Sequence, residues 1–212
     1  GDAILATRIP PAAAKLRRLM NAGQIVQSHA LSFFHMSAPD LLLGMESNPA
    51  KRNVFGLLEV QPDLVRAGIR LRQFGQEIIE SLGGKKVHPA WSVPGGVREA
   101  LKPADRARLA ARIPESLAAA EAALDVFKGL IDHLREETAA FGNFPSLFLG
   151  LVGEDGAWDH YDGVLKFGDS NGRIIAEGPP DEIFRRHISE HVEPDSYLKS
   201  PYYRDLGFPD GM

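Results

Sequence analysis

A helical repeat of apolar residues runs through the first part of the chain and limits the folds open to it. Pro10 and Pro11 begin the repeat, because proline fits the first helical turn, where its missing N–H has no partner to lose. The repeat has steps of three and four residues and consists of Leu16, Leu19, Met20, Gly23, Val26, Ala30 and Phe33. Pro39 disfavours continuation, so the pattern predicts a helix that ends near Met36. A helix of about 25 residues is roughly 37 Å long, and Gly23 at its middle indicates a close helix crossing.

Two further long segments have helical patterns. Pro62 begins the first, and the pair Gly83–Gly84 is expected to end it, because glycine accommodates the left-handed residue that closes a helix. The second runs from Pro103 to about Phe141, and we expect Pro114 to divide it into a short and a long helix. The apolar stripe of this second segment consists of Leu117, Leu124, Phe127, Leu130 and Leu134.

The character of the sequence changes after Phe144. The segments Gly163–Phe167 and Arg173–Glu177 flank the residues Asp169–Gly172, whose composition is typical of a tight turn, so they predict a β-hairpin. Residues from Pro180 to Val192 predict a last helix, and residues 193–212, rich in Pro, Tyr, Gly and Asp, are expected to be irregular. The patterns together predict a mainly α protein, a bundle of long helices with a small β-hairpin excursion near the C-terminus.

The predicted organisation is a single domain over residues 1–212. Within it we expect a helical core over about residues 10–142, an α+β excursion over about residues 144–192, and an irregular tail over residues 193–212.

Composition excludes several classes of function. The net charge of −4 and the pI near 6.0 are unlike the basic footprint of nucleic-acid-binding proteins, so we interpret basic pairs such as Arg17–Arg18 as solvated surface. No apolar run reaches the roughly 18 residues of a membrane span, and the first residues lack a signal-peptide pattern. The absence of cysteine excludes disulfides, thiolate nucleophiles and cysteine-ligated metals within these residues.

The stretch from Gln27 to Asp40 places two histidines among Phe, Leu and Met residues. His29 lies three residues after Val26 and is predicted on the apolar face of the helix. His35 lies about 120° away around the helix axis, so the two histidines cannot chelate one metal from a regular helix. Each is either a hydrogen-bonded core or interface histidine, or a group that orients a site supplied by other segments.

A second candidate is the loop KKVHPAWSVPGGV, residues 85–97. Its prolines and glycines impose an irregular backbone that can approach a neighbouring element closely. The loop is either a tight structural turn or a wall packed on a buried cofactor. Its candidate residues are His88, Pro89, Pro94, Gly95 and Gly96.

The third candidate, HISEH, matches the H-x-x-E-H pattern of inverted zinc proteases. On a helix, His187 and His191 would share one face, and Glu190 could act as a base. Such a site needs a third ligand, and the alternative is solvated histidines on an amphipathic helix.

These segments occur together, and in this order, in one protein family. Four segments of the chain resemble the large subunit of nickel–iron hydrogenases. They are LRRLMNAGQIVQSHALSFFHMSAPDLLLG, NVFGL, GIRLRQFGQEIIESLGGKKVHPAWSVPGGV and YLKSPYYRDLGFPDGM. Within that family the chain is similar to the cytoplasmic, pyridine-nucleotide-linked, bidirectional branch. The resemblance covers most of the chain and is weakest over residues 102–142, where helical composition alone agrees.

The resemblance implies reversible oxidation of dihydrogen at a nickel–iron centre held by two C-x-x-C pairs, one near each end of the large subunit. It also implies an iron–sulfur small subunit, together with flavin-containing partners that pass electrons to NAD. Because the chain has no cysteine, the resemblance implies the central, scaffolding part of such a subunit. This part is expected to hold no cofactor alone, to be inactive alone, and to be cytoplasmic.

The resemblance further implies roles for the candidate residues. The helix over residues 12–36 would lie beneath the metal site, and the HPAWSVPGG loop would pack near the face shared with the small subunit. His29, His35 and His88 would then orient metal ligands or relay protons. Ser32 departs from the family, in which another histidine is common at this position.

Two alternatives come from other functional classes. One is a stand-alone helical interaction module without redox activity, and the other is a zinc hydrolase built on His187, Glu190 and His191. In isolation, helices that pack on other parts of a subunit would expose a contiguous apolar patch, so we also expect self-association.

Overall fold

Helices dominate the N-terminal part of the computed structural model, which describes all 212 residues. About half of the chain is helical, and the strands form small antiparallel sheets. The chain divides into two compact units, residues 1–137 and residues 138–212. The single domain predicted from the sequence stays a prediction, and each unit is described by itself.

The first unit contains four α-helices, one π-helical segment, a fifth α-helix and a two-strand hairpin. In chain order they are α1 (Pro11–Leu31), the π-segment (Ser32–Ser37), α2 (Ala38–Leu43), α3 (Val54–Val60), α4 (Pro62–Gly83), β1 (Ser92–Val93), β2 (Gly96–Val97) and α5 (Pro103–Ile131). No helix in the chain combines the length and apolarity that a membrane span requires.

The predicted end of the first helix near Met36 is wrong. Helical backbone continues from α1 through the π-segment into α2, where the N–H of Ala38 bonds to the carbonyl of Phe33, five residues back. This shift from four to five residues is typical of a π-turn. Pro39 follows the shift and lies in the first turn of α2, where proline is tolerated, so it begins a new helix instead of breaking an old one.

The close helix crossing predicted at Gly23 is confirmed. A Cβ atom at Gly23 would lie 2.8 Å from Cγ2 of Ile78, and one at Gly75 would lie 2.5 Å from the backbone nitrogen of Gln27. Further along, the ring of Phe34 occupies the space that a side chain at Gly68 would need. Because the contacts occur in reversed order along the two helices, α1 and α4 pack antiparallel, and glycines let their backbones approach.

The main core of this unit lies between α1, α4, the loop after α4, and α5. The loop over residues 85–97, predicted to be irregular, contains the short hairpin of β1 and β2 and inserts a tryptophan into this core. The buried residues of the cluster are Phe74, Ile78, Leu82, Trp91 and Leu109. The predicted end of α4 at the glycine pair is confirmed, since Gly84 adopts a φ of 74° and its N–H closes the last turn on the carbonyl of Glu80.

The predicted division of the third helical region at Pro114 is wrong. α5 continues from Pro103 to Ile131 with Pro114 inside it, and the helix breaks later, before the short α6 (Arg135–Ala140) that crosses the boundary between the units. Pro114 removes one hydrogen bond to the carbonyl of Ala110. Both residues are exposed, so water can satisfy that carbonyl and the helix survives.

The second unit is built on a three-stranded antiparallel sheet of β3 (Phe148–Val152), β4 (Val164–Gly168) and β5 (Ile174–Gly178), in the order β3-β4-β5. The predicted hairpin is confirmed as β4 and β5. In its turn, the N–H of Gly172 donates to the carbonyl of Asp169, and Oδ1 of Asp169 accepts from the N–H groups of Asn171 and Arg173. The sequence analysis did not predict β3.

The helix predicted from Pro180 to Val192 is wrong in its second half. The helix α7 (Pro180–His187) is followed directly by β6 (Ile188–Val192), which pairs antiparallel with β7 (Lys199–Tyr203). The sequence ISEHV has an apolar residue at each end and three polar residues between them, so its pattern does not distinguish a strand from a short helix. Pairing with β7 decides in favour of the strand, and it also gives part of the supposedly irregular tail a regular structure.

The α1–α4 crossing leads to a first prediction. We expect Gly75→Ala to lower the free energy of unfolding by about 1–3 kcal/mol, because the new methyl group would meet backbone atoms of α1 that cannot move aside cheaply. Chemical denaturation followed by circular dichroism measures this change.

The matched control is Gly129→Ala in α5, where no atom lies within 4 Å of the new Cβ. That change should raise the stability by up to about 1 kcal/mol, because alanine favours the helix. Equal effects of the two substitutions would show that the crossing is looser than the structure indicates.

Candidate functional site

The three histidines assigned to a possible site do not converge. His35 lies in the π-segment beside Phe34, which packs on Gly68, whereas His88 follows the end of α4 at Gly83. Gly68 and Gly83 are fifteen residues apart on α4, which is about 22 Å at the rise of an α-helix. His29 lies between them on α1. The three side chains therefore cannot contact one reacting group together, and any joint effect on a reaction would need other residues between them.

The burial of the three histidines also differs. His29 is exposed, so its predicted place on the packed face of α1 is wrong. His88 is exposed too, and His35 is half-buried with its Nδ1 enclosed and without a hydrogen-bond partner in the chain. Buried polar nitrogens normally have a partner, so among these three histidines only His35 has an enclosed nitrogen that no group of this chain satisfies.

His88 has an unusual backbone conformation. Its φ of 48° lies in the left-handed region, which a residue with a Cβ rarely occupies. The following residue, Pro89, further disfavours helical backbone at this position. Pro89 fills the space beside Gly83 at the end of α4, and this packing holds the strained residue in place. Strain of this kind is found preferentially at functional sites.

A clamp formed by Arg17 of α1 fixes the loop over residues 85–97. The guanidinium Nη2 donates to the carbonyls of Val93, at 2.7 Å, and Gly96, at 2.6 Å. Nε also donates to Gly96, at 3.1 Å. The third nitrogen, Nη1, lies 2.8 Å from Oδ2 of Asp2. One planar side chain thus joins the chain's first residues, α1 and the β1–β2 turn.

Asp2 completes the clamp from the other side. Its Oδ1 accepts the backbone N–H of Gly95 at 2.5 Å. The hydrogen bond from Arg17 and then that from Gly95 lower the pKa of the Asp2 carboxyl from 3.8 to about 2, because both bonds favour the ionised form. The carboxylate is therefore charged throughout the neutral and mildly acidic range, and the clamp is an ion pair over that whole range.

The two glycines of the turn are required by their positions. Gly95 has a φ of 86° and Gly96 a φ of 153°, which residues with side chains rarely adopt. A Cβ at Gly96 would also lie 3.3 Å from Cβ of Ala13 on α1. Beneath the turn, the buried Trp91 donates its Nε1–H to the carbonyl of Glu99 at 2.9 Å. The predicted close approach of this loop to a neighbouring element is confirmed, and that element is α1.

The sequence analysis missed the clamp. It interpreted Arg17 as part of a solvated basic pair, but the side chain is only 17% exposed. A local signal was available: Arg17 lies four residues after the buried Ala13 and three before Met20, on the apolar stripe itself. The two carbonyls that it binds are 76 and 79 residues away along the chain, so no local pattern could identify them.

The zinc-site geometry expected for HISEH is absent, because its residues do not share a helix. His187 ends α7, stacks on Tyr203 at 5.4 Å and lies 3.4 Å from Asp205. His191 lies in β6, stacks on Phe208 at 3.8 Å and contacts Glu193 at 2.9 Å. No three His, Asp or Glu side chains are placed together as metal ligands, so nothing in the geometry favours a hydrolase.

The residues of this chain also do not fit a nickel–iron centre. Soft thiolates are the ligands that such a redox-tuned site requires, and the chain has no cysteine. Its histidines are spread along the helices and do not replace a thiolate set.

Comparison with known proteins relates the chain to hydrogenase subunits. No protein-family model matches it. It is 37% identical over 211 residues to one subunit of the vhu F420-non-reducing hydrogenase of Methanocaldococcus jannaschii, in an alignment that covers 100% of this chain and 50% of that protein. It is 37% identical over 209 residues to NAD-reducing hydrogenase HoxS subunit beta of Cupriavidus necator, covering 96% of this chain and 43% of the relative.

A solved structure agrees with these relatives. The crystal structure of an NAD+-reducing NiFe-hydrogenase in the H2-reduced state matches with a TM-score of 0.90 and 43% identity, covering 97% of this chain and 46% of that chain. The fold of the chain is thus that of a nickel–iron hydrogenase subunit. The chain spans about half the length of the relatives it matches.

The clamp leads to a second prediction. We expect Arg17→Met to lower the free energy of unfolding by about 2 kcal/mol, because it removes charge-assisted hydrogen bonds and leaves two carbonyls without a donor. Denaturant titration measures this loss. Lys15→Met, an exposed position on the same helix, is the control and should change stability little. Similar effects at both positions would contradict a specific role of the clamp.

A third prediction concerns pH. Because the pKa of Asp2 is depressed to about 2 in the folded chain, the stabilisation from this carboxylate is present above its unfolded pKa near 3.9 and is lost as the pH falls toward 2. We therefore expect Asp2→Asn to be less stable than the native chain at pH 5, and this difference to shrink between pH 4 and pH 2. A difference that stays constant with pH would show that the charge of Asp2 does not stabilise the fold.

Proposed function

We propose that the chain is the central, scaffolding part of the large subunit of a nickel–iron hydrogenase that oxidises dihydrogen reversibly and transfers the electrons to NAD through partner subunits. The observation that carries this proposal is the match to an NAD+-reducing NiFe-hydrogenase, with a TM-score of 0.90 over 97% of the chain. The identity to an NAD-reducing HoxS subunit over almost the same span supports the same electron acceptor.

The proposed role of this segment is mechanical. The glycine crossing fixes the distance between α1 and α4, and the clamp of Arg17 and Asp2 ties the loop over residues 85–97 to α1. Both features hold backbone in one geometry, and sites that need well-placed groups are typically built on such rigid elements. We infer that these elements form walls of the metal pocket in the intact subunit.

The nickel–iron centre supplies the activation of dihydrogen when it is bound. Its thiolate ligands come from polypeptide other than these 212 residues, which contain no cysteine. What this segment contributes is orientation and proton binding. The enclosed, unpartnered Nδ1 of His35 can form a hydrogen bond with a group from another part of the subunit, and a neutral imidazole has one donor and one acceptor nitrogen for that purpose.

The loop after α4 has the properties of a docking surface for an iron–sulfur small subunit. His88 and Pro94 are exposed, while Trp91 and Gly96 beneath them are buried. The backbone of the exposed residues is therefore fixed before a partner binds, which lowers the entropy lost on association. We propose a cytoplasmic complex in which this surface contacts the small subunit, while flavin-containing subunits complete the path to NAD.

A fourth prediction tests the role of His88 in the intact enzyme. We expect His88→Ala to lower hydrogen-dependent turnover about 10–100-fold, the loss typical of groups that support a metal site from outside its ligand set, while the melting temperature stays near that of the native enzyme. Turnover, nickel and iron content, and thermal unfolding are measured on the same preparation. Lys85→Ala, an exposed residue of the same loop, is the control.

The outcomes separate the possible roles. If the His88→Ala enzyme kept native turnover but had a lower melting temperature, His88 would contribute only to packing. His88→Gly should relieve the left-handed backbone and raise stability by about 1 kcal/mol without restoring turnover, which distinguishes loss of the imidazole from loss of the fold.

The electron acceptor is tested separately. The purified complex should reduce NAD+ in the presence of dihydrogen, and an iron–sulfur subunit should co-purify with it. If the complex reduced a viologen dye but not NAD+, the proposed hydrogenase activity would stand and the proposed electron acceptor would be wrong. A preparation without nickel, iron–sulfur partner or hydrogen uptake would instead favour the stand-alone interaction module.

A further inference from the structure

Arg72 of α4 is a half-buried cation without a counter-charge. Its Nε is enclosed and has no hydrogen-bond partner, and its guanidinium forms no ion pair within the chain. The residues one turn away on the same helix carry no charge; they are Gly68, Ile69, Gly75 and Gln76. An arginine stays protonated in proteins, and a charge taken out of water is normally paired. These 212 residues therefore provide no counter-charge for Arg72.

The other two arginines of α4 do have partners. Nε of Arg70 lies 2.9 Å from Oε1 of Glu115 on α5, and Nη1 of Arg66 lies 3.5 Å from Oδ1 of Asp63. Both of these arginine side chains are more than half exposed, so water also solvates them. The arginine of α4 that most needs a partner is thus the one that lacks it.

Arg72 lies on the flank of α4 that is turned away from α5. It is seven residues from the buried Val65 and seven from the buried Ile79, so the three residues share one face of the helix. Val65 packs with residues of α2 and α3. Leu71 and Ile78, which precede Arg72 and Ile79 by one position, belong instead to the clusters that α5 completes. One position is about 100° around the helix axis.

The other enclosed, unpartnered nitrogen of the first unit lies on the same flank. His35 follows Phe33 by two positions, about half a helical turn, and Phe33 packs edge-on against an aromatic ring of α5. His35 is therefore on the side of the π-segment opposite α5. Its neighbour Phe34 packs on Gly68, which is one turn, or about 6 Å, from Arg72 along α4. The enclosed nitrogens of His35 and Arg72 thus share a flank, about one turn apart.

We propose that Arg72 binds a carboxylate carried by the part of the subunit that lies outside these 212 residues, and that the same segment contacts Nδ1 of His35. The inference rests on the proposed function, because it takes the chain as part of a longer subunit, and the chain spans about half the length of the relatives it matches. A carboxylate fits Arg72 because its two oxygens accept two parallel N–H groups of a guanidinium. Nδ1 of a histidine can donate or accept beside it.

One substitution in two chain lengths tests the proposal. Arg72→Met keeps the aliphatic stem and removes the charge. In the 212-residue chain it should leave the melting temperature unchanged or raise it, because an unpaired, half-buried charge is removed. In the intact subunit, purified without partner subunits, it should lower the melting temperature by at least about 5 °C, because it leaves a buried carboxylate unpaired. A loss of stability in both chains, or none in the intact subunit, would overturn the proposal.

The matched control is Arg70→Met on the same helix. The partner of Arg70, Glu115, belongs to the same 212 residues, so this substitution should shift the melting temperature alike in both chain lengths. A change of sign at Arg70 as well would show that chain length, and not a partner of Arg72, causes the effect, and would overturn the proposal.

Two further variants of the intact subunit identify the acceptor. Arg72→Lys keeps the positive charge and should preserve more of the native melting temperature than Arg72→Gln, which keeps only hydrogen-bonding groups. Equal or better retention by Arg72→Gln would mean that the acceptor is neutral, and the proposed carboxylate would be wrong.

Hydrogen uptake by the assembled native enzyme separates this inference from the proposed function. If the enzyme took up no hydrogen but Arg72→Met still had opposite effects in the two chain lengths, the hydrogenase role would be wrong and the carboxylate partner of Arg72 would stand. If the enzyme were active and the intact subunit tolerated Arg72→Met, the proposed function would stand and this inference would be overturned.

Discussion

The approach of α1 to α4 is the constraint on which the rest of the first unit depends. A Cβ would have no room at Gly23 beside Ile78, at Gly68 beside the ring of Phe34 in the π-segment, or at Gly75 beside the backbone of α1. This separation positions Met20 and Phe74 for the common core. It also determines the position of the C-terminal end of α4, and hence the positions of Pro89 and Trp91 in the loop that follows. The loop geometry is therefore a consequence of a contact made more than one helical turn away from it.

The clamp acts on top of that scaffold and has a different physical origin. The crossing is steric and apolar, so it is insensitive to pH and salt. Arg17 and Asp2 instead contribute charge-assisted hydrogen bonds, which are strong because at least one partner in each bond is ionised. The loop over residues 85–97 is thus held by packing from below, through Trp91, and by electrostatics from the side. A geometry fixed in two independent ways suits a surface that must stay rigid before a partner binds.

The parts of the fold that the sequence predicted correctly are those with strong local signals. The glycine pair at the end of α4 and the Asp169–Gly172 turn each determine their own backbone, since few residues tolerate a positive φ. The errors at Pro39 and Pro114 both come from rules on how proline interrupts a helix. At Pro39 the restriction on the preceding residue is met by a π-turn. At Pro114 the carbonyl left without an N–H donor is exposed to water.

The remaining errors arise from partners that are distant along the chain. Residues 188–192 form a strand because β7 pairs with them, and no helical period within the segment reveals that. Arg17 was misassigned because the loop carbonyls that it binds follow it by nearly eighty residues. The candidate site shows the same division. Sequence patterns identified the loop and the three histidines, but only the structure shows that the histidines are separated and that an arginine organises the loop.

The bond between Asp2 and Gly95 joins residues 93 positions apart and closes a large non-covalent ring. Closing a loop of this size has an entropic cost that grows only slowly with its length, so a few good hydrogen bonds can maintain it. The ring has no covalent lock, however, and a cut on the N-terminal side of α1 would open it without touching the core. Cleavage of the backbone between Asp2 and α1 would then weaken the clamp on a loop that lies far away in sequence, while Trp91 and the helices keep their packing.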